Sequence, residues 1–341
     1  MTMVRWGILG AADIALRRVI PAMCECSIAS VTAIASRQLE KAQKAQSQHQ
    51  IGTAHGSYQA LLDDPDVDVI YNPLPNHLHT DWSARALLAG KHVLCEKPIA
   101  MNQAEVAELI KVRNQTSLHI EEAFMVRNHP QWVAVRELLD DGVIGTPQSV
   151  QLAYAYPAKE KNDYRYKPEM GGGAVYDIGS YAIAIARLIF GNEPSEVLAR
   201  LSRDKTSSVD VLASVILGFP SGHATLTVAT ELTFFQHVHI IGDLGWIRVE
   251  FPFAHPQPSN CHLYLGDASS IGSFHRRTIA FDPVNQYTLQ ADRFSRATLG
   301  EDVVTWPLED AAANMAVIDA VFESAERGSW ANVRSAFASD A

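Results

Sequence analysis

The chain has 341 residues, 47% of them hydrophobic, and a formal net charge of -10 at pH 7. This length exceeds what one hydrophobic core usually supports, so two globular domains are expected. The acidic balance provides no basic face for a phosphate backbone, and nucleic acid is therefore excluded as an expected partner.

The number of cysteines and the length of the apolar segments indicate the cellular compartment. There are four cysteines, Cys24, Cys26, Cys95 and Cys261. They are too few for a disulfide framework, and no second Cys or His pair completes a zinc site. The N-terminus lacks the pattern of a signal peptide, and the longest apolar stretch, residues 178–190, contains Arg187. We therefore expect a cytoplasmic protein with no metal and no membrane partner.

The first half alternates short apolar runs with helical patterns, which is typical of βαβ units and a parallel sheet. Strands are predicted at residues 4–9, 30–36, 68–72 and 92–95, with a strand-like segment at 119–124. Helices are predicted at residues 13–26, 39–49, 80–88 and from Asn102 to about 114. Gly90 is expected to end one helix and Asn102 to cap the next.

The pattern changes after a turn at residues 145–147, where alternation typical of antiparallel strands begins. Strands are predicted at residues 149–156, 209–219, 224–231, 236–241 and 246–251, with one helix at 175–189. A last helix, residues 310–326, is expected to pack back on the first domain. The domain boundary is placed between residues 122 and 123.

A dinucleotide-binding fingerprint lies between the first predicted strand and the first helix. It consists of Gly10, Ala11, Ala12, Asp13, Ile14 and Ala15. Gly10 and Ala15 match G-x-G-x-x-G/A, while Ala12 replaces the middle glycine and implies a slightly wider turn. The free N-H groups and partial positive charge of the helix N-terminus still suit a pyrophosphate. With the flanking strand and helix, the motif predicts a Rossmann domain.

The second predicted strand ends in Ser36 and Arg37 instead of the Asp or Glu that binds a ribose 2′-hydroxyl. A hydroxyl and a guanidinium suit a 2′-phosphate, because Arg donates fork-shaped, charge-assisted hydrogen bonds to phosphate oxygens. This favours NADP over NAD. The alternative is a solvated arginine at a strand end.

Lys97 follows the predicted strand 92–95, within Glu96-Lys97-Pro98. The carboxyl ends of parallel strands are where open α/β sheets bind ligands, so Lys97 is expected to face the cofactor crevice. There an ammonium can hydrogen-bond a substrate hydroxyl and stabilise developing negative charge. The alternative is a lysine in solvent.

Gly171-Gly172-Gly173 precedes a helix that carries Asp177 and Tyr181. A spacing of four places both side chains on one helix face, where they can bind a polyol and exchange a proton with its hydroxyl. A tyrosine is a poor base at neutral pH unless a nearby cation such as Lys97 lowers its pKa. The alternative is an aspartate that stabilises the helix dipole and a tyrosine packed in the core.

Together these residues resemble the Gfo/Idh/MocA oxidoreductases, named for glucose-fructose oxidoreductase, inositol dehydrogenase and a rhizopine-catabolism protein. The resemblance rests on residues 4–15, Pro75-Asn76 with His79, residues 90–98 (GKHVLCEKP), Gly171-Gly172-Gly173 with Asp177, and residues 240–247. It implies an α/β Rossmann domain, 1–122, and an α+β domain, 123–341, with a large, mostly antiparallel, open-faced sheet.

Tyr181, where many members carry histidine, is similar to the branch of NADP-dependent D-xylose dehydrogenases, dimeric dihydrodiol dehydrogenases and glucose-fructose oxidoreductase. This implies a catalytic pair of Lys97 and Tyr181, with Asp177 binding substrate hydroxyls. It also implies contacts to the cofactor from Pro73, Leu74, Asn76, His79, Glu96 and Lys97, of which Asn76, His79 and Glu96 would lie near the nicotinamide ribose. Arg127 and Tyr156 would line the substrate pocket.

The expected reaction is hydride transfer between NADP(H) and a hydroxyl or carbonyl carbon of a sugar or sugar-like polyol, of the aldose 1-dehydrogenase type. Alternatives are reduction of an anhydro-sugar or dicarbonyl, and oxidation of a trans-dihydrodiol. A non-enzymatic alternative is an NADP-sensing regulatory protein, which would need none of Lys97, Asp177 and Tyr181. The family also implies a homodimer or homotetramer through the C-terminal sheet. Apolar residues in 212–219 and 224–228 exceed what one buried face requires, as at an interface.

Overall fold

The computed structural model describes residues 3–158, 160–254, 259–267, 269, 277–301 and 306–334. The chain forms two compact units. The first consists of Met1–Met125 and Asn285–Ala312, and the second of Val126–Val284 and Ala313–Ala341. Each unit contains one β-sheet.

The sheet of the first unit has six parallel strands in the order β3-β2-β1-β4-β5-β6. The strands are β1 (Val4–Leu9), β2 (Ala29–Ala35), β3 (Thr53–His55), β4 (Val69–Asn72), β5 (His92–Cys95) and β6 (Ile120–Glu122). All four residues of β4 are buried, as expected for a strand covered on both faces. The predicted parallel Rossmann sheet is confirmed.

Helices lie between the strands of this sheet, and those predicted at 39–49, 80–88 and 102–114 agree with the structure within two residues at each end. They are α1 (Ile20–Cys24), α2 (Leu39–His49), α3 (Tyr58–Leu62), α4 (His79–Leu88) and α5 (Gln103–Thr116). The Asn102 side chain accepts from the Glu105 amide at 3.0 Å, which confirms the predicted cap. Gly90, with φ of 80°, follows the end of α4 in the left-handed conformation.

Two short elements of this unit were not predicted, β3 and α3. They contain three and five residues, too few for a periodic pattern to show. A second difference lies before α1, where the predicted helix begins with a π-helical turn, Ala15–Val19. Such turns are frequent at functional sites, and this one begins at Ala15, the last residue of the fingerprint.

The sheet of the second unit has nine strands in the order β14-β13-β12-β11-β7-β10-β9-β8-β15. They are β7 (Pro147–Pro157), β8 (Glu196–Arg203), β9 (Asp210–Phe219), β10 (Gly222–Ala229), β11 (Glu231–Gly242), β12 (Gly245–Val249), β13 (Cys261–Asp267), β14 (Arg277–Phe281) and β15 (Ala331–Asn332). Only β7 and β10 pair in parallel. The predicted mostly antiparallel sheet is confirmed.

Two predictions for these strands were wrong. The strand predicted at 236–241 begins at Glu231, because exposed Leu232, Phe234 and Phe235 break the alternation and the register shifts beside them. The apolar surplus predicted for 224–228 is absent, because the apolar residues of β10 are buried and alternate with exposed Thr225 and Thr227. Of the two strands predicted to carry such a surplus, β9 keeps partly exposed apolar residues on its second side.

The helices of the second unit are α6 (Pro130–Asp140) and α7 (Ser180–Phe190), and α7 is preceded by a π-helical turn, Val175–Gly179. By length and composition the helical stretch Pro168–Phe190 could cross a membrane. However, 89% of its most apolar window is buried inside the protein, as in a core helix.

Two helices near the C-terminus complete the fold, α8 (Gln286–Thr298) and α9 (Leu308–Arg327). The sequence did not predict α8, which belongs to the first unit. Its Phe294 ring lies 5.6 Å from the Trp6 ring, and Trp6 Nε1 donates to Ser295 Oγ at 3.1 Å. The division between the units falls within α9, so its predicted packing on the first domain stays a prediction beyond Ala312.

Replacing Phe294 by alanine tests the packing of α8 on the first unit. Phe294 is 2% exposed, so the cavity should lower the free energy of unfolding by about 3–5 kcal/mol. Urea unfolding measures this loss. The control Leu88→Ala removes a side chain that is 64% exposed and should change stability by less than about 0.5 kcal/mol. A loss as small as that of the control would contradict the packing.

Candidate active site

The turn after β1 can accommodate a dinucleotide phosphate. Gly10 has φ of 90°, and a Cβ at this position would lie 3.0 Å from Leu74 Cδ2, so both conformation and space require glycine. Ala11 and Ala12 are partly exposed, and the helix begins at Asp13, an exposed residue 3.5 Å from Arg17. Backbone N-H groups at this helix start are suited to a pyrophosphate.

Ser36 and Arg37 directly follow β2. Ser36 is buried, and its hydroxyl accepts from the Gln38 amide at 3.3 Å. The exposed Arg37 guanidinium interacts with the Tyr58 hydroxyl, and burial raises the pKa of that phenol. The same hydroxyl lies 3.6 Å from where a Cβ of Gly10 would be. A cation thus lies close to the glycine turn, as an NADP 2′-phosphate requires.

Asn72, at the end of β4, fixes the loop that contains Pro73, Leu74 and Asn76. It is fully buried; its Nδ2 donates to His79 O at 3.2 Å and its Oδ1 accepts from the Leu74 amide at 3.3 Å. Asn72 was not predicted from the sequence. A polar residue that ends an apolar strand was the available signal. Asn76, 4% exposed, begins a short 3-10 helix, Asn76–Leu78.

His79 joins the loops after β4 and β5. It is 1% exposed, with Nδ1 at 2.7 Å from Pro98 O and Nε2 at 2.5 Å from Leu74 O. Burial lowers the pKa of His79 to about 4, against the opposing effect of these two carbonyl oxygens. The described contacts make His79 a link between the two loops. Its predicted contact with the cofactor stays a prediction.

Lys97 follows the carboxyl end of β5. The carboxylates of Glu96 and of Glu122, on the neighbouring strand β6, are fixed by hydrogen bonds. Tyr71 Oη donates to Glu96 Oε1 at 2.6 Å, and the Ile99 amide donates to Glu122 Oε1 at 2.8 Å. Glu122, at the end of β6, is 3% exposed and was also missed by the sequence analysis. The Lys97–Pro98 peptide is cis. Lys97 is therefore at the sheet edge where the sequence predicted it.

In the second unit, Tyr181 is the second residue of α7 and lies beside two other aromatic rings. Its ring centroid lies 6.4 Å from that of Tyr154 and 6.3 Å from that of Phe253, and Tyr154 and Phe253 are stacked at 4.8 Å. Phe253 is held in place because Gln236 Oε1 accepts from its amide at 3.0 Å. Tyr181 itself is 6% exposed. Packing against these rings restricts its orientation.

Asp177 lies one turn earlier, in the π-helical turn, and is 8% exposed. Tyr156 Oη and Arg165 Nε both donate to Asp177 Oδ2, the latter at 3.1 Å. Burial and the charge of Asp177 raise the pKa of Tyr156, and the same charge raises the pKa of Arg165. From the sequence, Tyr156 and Asp177 were predicted to lie in the substrate site, but Arg165 was not singled out.

The glycine run before this helix has a steric explanation. A Cβ on Gly172 would lie 2.5 Å from Arg165 O, and one on Gly173, with φ of 117°, would collide with Asp210 Oδ1. Asp210 Oδ2 accepts from the Val175 amide at 2.7 Å. The glycines therefore allow two close approaches at the helix entrance.

The first unit brings together one group of predicted residues and the second unit another. The first group consists of Gly10, Ala11, Ala12, Asp13, Ile14, Ser36, Arg37, Pro73, Leu74, Asn76, His79, Glu96 and Lys97; the second of Tyr156, Asp177 and Tyr181. Arg127 is buried in a short 3-10 helix, Met125–Asn128. Among the described residues no group of three or more His, Cys, Asp or Glu could hold a metal.

The buried histidines give a pH-dependent stability. Because the pKa of His79 is about 4 when folded and about 6.5 when unfolded, the unfolded chain binds the extra proton between these values. The free energy of unfolding should fall as pH falls, by up to about 1.4 kcal/mol per pH unit for this group. His92, whose pKa burial also lowers to about 4, contributes with the same sign.

We expect His79→Gln to reduce this slope between about pH 6.5 and about pH 5, as measured by urea unfolding. The control His49→Gln, at the end of α2, should leave the slope of the parent chain. Parallel curves for the parent and His79→Gln would contradict the depressed pKa of His79.

Comparison with known proteins identifies the family. Residues 4–124 match the model of the oxidoreductase family with an NAD-binding Rossmann fold, and residues 132–248 match the GFO/IDH/MocA C-terminal domain. The chain is 40% identical over 334 residues to the uncharacterized oxidoreductase ORF334 of Rhizobium meliloti, covering 98% of this chain and 100% of that protein. It is 33% identical to D-xylose 1-dehydrogenase (NADP(+)) 2 of Haloferax volcanii, covering 95% and 98%.

A solved structure is similar over nearly the whole chain. KijD10, a 3-ketoreductase from Actinomadura kijaniata in complex with NADP and TDP-benzene, superposes with a TM-score of 0.87 at 32% identity. The match covers 95% of this chain and 98% of that one. The chain therefore belongs to the Gfo/Idh/MocA family of oxidoreductases.

Proposed function

We propose that the chain oxidises or reduces a hydroxyl-bearing carbon of a sugar or sugar-like polyol with NADP(H), as an aldose 1-dehydrogenase does. One observation carries this proposal. Lys97 lies at the carboxyl edge of the Rossmann sheet, and Tyr181 lies one turn after the buried Asp177 in the second unit. Relatives support the substrate class, since one is a D-xylose dehydrogenase and another a 3-ketoreductase.

NADP is the proposed cofactor because Arg37 and Ser36 follow β2 where an NAD enzyme would carry a carboxylate. Arg37 is exposed, and its contact with Tyr58 keeps the guanidinium near the glycine turn. KijD10 was crystallised with NADP, and the Haloferax enzyme uses NADP(+). When bound, the nicotinamide would supply or accept the hydride.

In this proposal Tyr181 moves the proton of the reacting hydroxyl. Lys97 hydrogen-bonds the same oxygen and favours the ionised phenol by its positive charge. Asp177 accepts a hydrogen bond from a neighbouring hydroxyl, and its carboxylate is already oriented by Tyr156 and Arg165. The proposal requires that Lys97 and Tyr181, from separate units, converge on one substrate oxygen.

Two further properties are proposed with the activity. A homodimer or homotetramer through the second side of the C-terminal sheet is supported by exposed Ile241 and by the partly exposed apolar residues of β9. A cytoplasmic location stays a prediction from the cysteine content.

Reduction of a dicarbonyl or anhydro-sugar and oxidation of a trans-dihydrodiol are alternative reactions that would use the same residues.

Two substitutions test the roles of the catalytic pair. Lys97→Met and Tyr181→Phe should each lower kcat for sugars by about 100- to 10,000-fold, because proton transfer loses its acid-base group. NADPH binding, followed by its fluorescence, should change little. The control Lys111→Met removes an exposed lysine of α5 that pairs with Glu108 and should leave turnover unchanged. Unchanged turnover in Lys97→Met would remove Lys97 from the mechanism, whereas no turnover of any sugar, polyol or diol by the parent protein would favour the regulatory protein.

The same assay, read at the nicotinamide absorbance band, compares NADP with NAD over a panel of aldoses, polyols and diols. Rates with NAD well above those with NADP would contradict the interpretation of Ser36 and Arg37.

A further inference from the structure

Arg165 is a charged residue of the second unit to which no motif pointed. Its Nε donates to Asp177 Oδ2 at 3.1 Å, and its Nη1 donates to Asp163 Oδ1 at 3.1 Å. Within the ranges that the structure describes, Nη2 has no hydrogen-bond acceptor. The side chain is 34% exposed, whereas that of Asp177 is 10% exposed. The guanidinium therefore has one donor group left beside a nearly buried carboxylate.

The backbone of Arg165 is fixed by the entrance of the helix that carries Asp177. The Asp163 side chain accepts from the Arg165 amide at 2.9 Å, and Arg165 O accepts from the Gly173 amide at 3.0 Å. Gly172 leaves the space that this approach needs. Two local hydrogen bonds thus place the backbone of Arg165, and Asp163 and Asp177 orient its guanidinium before substrate binds.

A donor and an acceptor side by side recognise a hydroxyl group. A hydroxyl donates one hydrogen bond and accepts others, so it can accept from Nη2 while donating to the Asp177 carboxylate. A phosphoryl or carboxylate group at this position would be repelled by Asp177. A bare methylene would leave the charged donor and acceptor without partners, which is costly.

We propose that Arg165 is a specificity-determining residue, whose Nη2 reads, together with Asp177, one sugar hydroxyl other than the one that reacts. This inference rests on the proposed function, because Asp177 must face the substrate. It adds a requirement that the activity alone does not contain, namely rejection of sugars that lack this hydroxyl. It also assigns this rejection to Arg165.

The experiment measures kcat/KM of the full-length protein for D-xylose and D-glucose and for their 2-, 3- and 4-deoxy derivatives. The parent protein should use one deoxy derivative about 10- to 100-fold less well, as expected for a lost hydrogen bond to charged groups. Arg165→Met should lower kcat/KM for the hydroxylated sugar by a similar factor, mainly through KM. The same variant should leave kcat/KM for that deoxy sugar nearly unchanged, so discrimination disappears.

Three controls separate a specificity role from a structural one. Arg136→Met removes the same kind of Nε-carboxylate pair, Arg136 with Asp140 at 3.1 Å, from the exposed side of α6 and should keep full discrimination. Arg165→Lys keeps the positive charge without the forked guanidinium and should retain part of the discrimination that Arg165→Met loses. NADPH binding should be unaffected in all variants.

The outcomes are distinguishable. If the parent turns over neither sugar nor any deoxy derivative, the proposed function and this inference fail together. If the parent discriminates and Arg165→Met retains the ratio, or loses all substrates equally, the inference on Arg165 is overturned while the proposed function stands.

Discussion

Parallel strands end at one edge of a sheet, and the positions of the candidate site residues of the first unit depend on that constraint. The loops after β1, β2, β4 and β5 begin with Gly10, Ser36, Pro73 and Glu96, so four chain segments far apart in sequence share one edge. Backbone groups and side chains that leave this edge face the same crevice. The position of Lys97 therefore follows from the strand order before any of its contacts is considered.

The edge is stabilised by buried polar residues that join neighbouring loops. Asn72, His79 and Glu122 each hydrogen-bond backbone atoms of the loops after β4 or β5. Buried polar groups are costly unless paired, and pairing these with backbone gives each loop one arrangement. A rigid edge is what the site needs, because small displacements of a catalytic group reduce the rate strongly.

In the second unit the organising group is a buried carboxylate. Asp177 would be unfavourable in the protein interior without partners, and Arg165 and Tyr156 both donate to its Oδ2. Those contacts orient the carboxylate and explain why Arg165 needs the close approach that Gly172 permits. The tri-glycine motif thus serves Arg165 and Asp210 sterically, and through them the start of the helix with Asp177 and Tyr181.

The sequence predicted the features that depend on local pattern. Buried strands such as β4 and β5, the Asn102 cap, and the strand-end positions of Lys97 and Arg37 are encoded by neighbouring residues. Contacts between distant residues were not predictable: Trp6 bonds Ser295, 289 positions away, so α8 gave no sign of joining the first unit. Arg165 and Asn72 were missed for another reason, because their partners are near in sequence but neither an apolar period nor a motif marks a side-chain hydrogen bond. The two π-helical turns within the described residues were also not predicted, because segments of five residues are too short to show a period of their own.

In the proposed reaction, Lys97 and Tyr181 hydrogen-bond one substrate oxygen. A crystal structure with NADP and a bound sugar tests this, because it gives the distances of Lys97 Nζ and Tyr181 Oη to the sugar oxygens. Both atoms should lie within about 2.6–3.2 Å of the same oxygen. A sugar oxygen contacted by only one of them, with the other atom turned away from the reacting carbon, would contradict it.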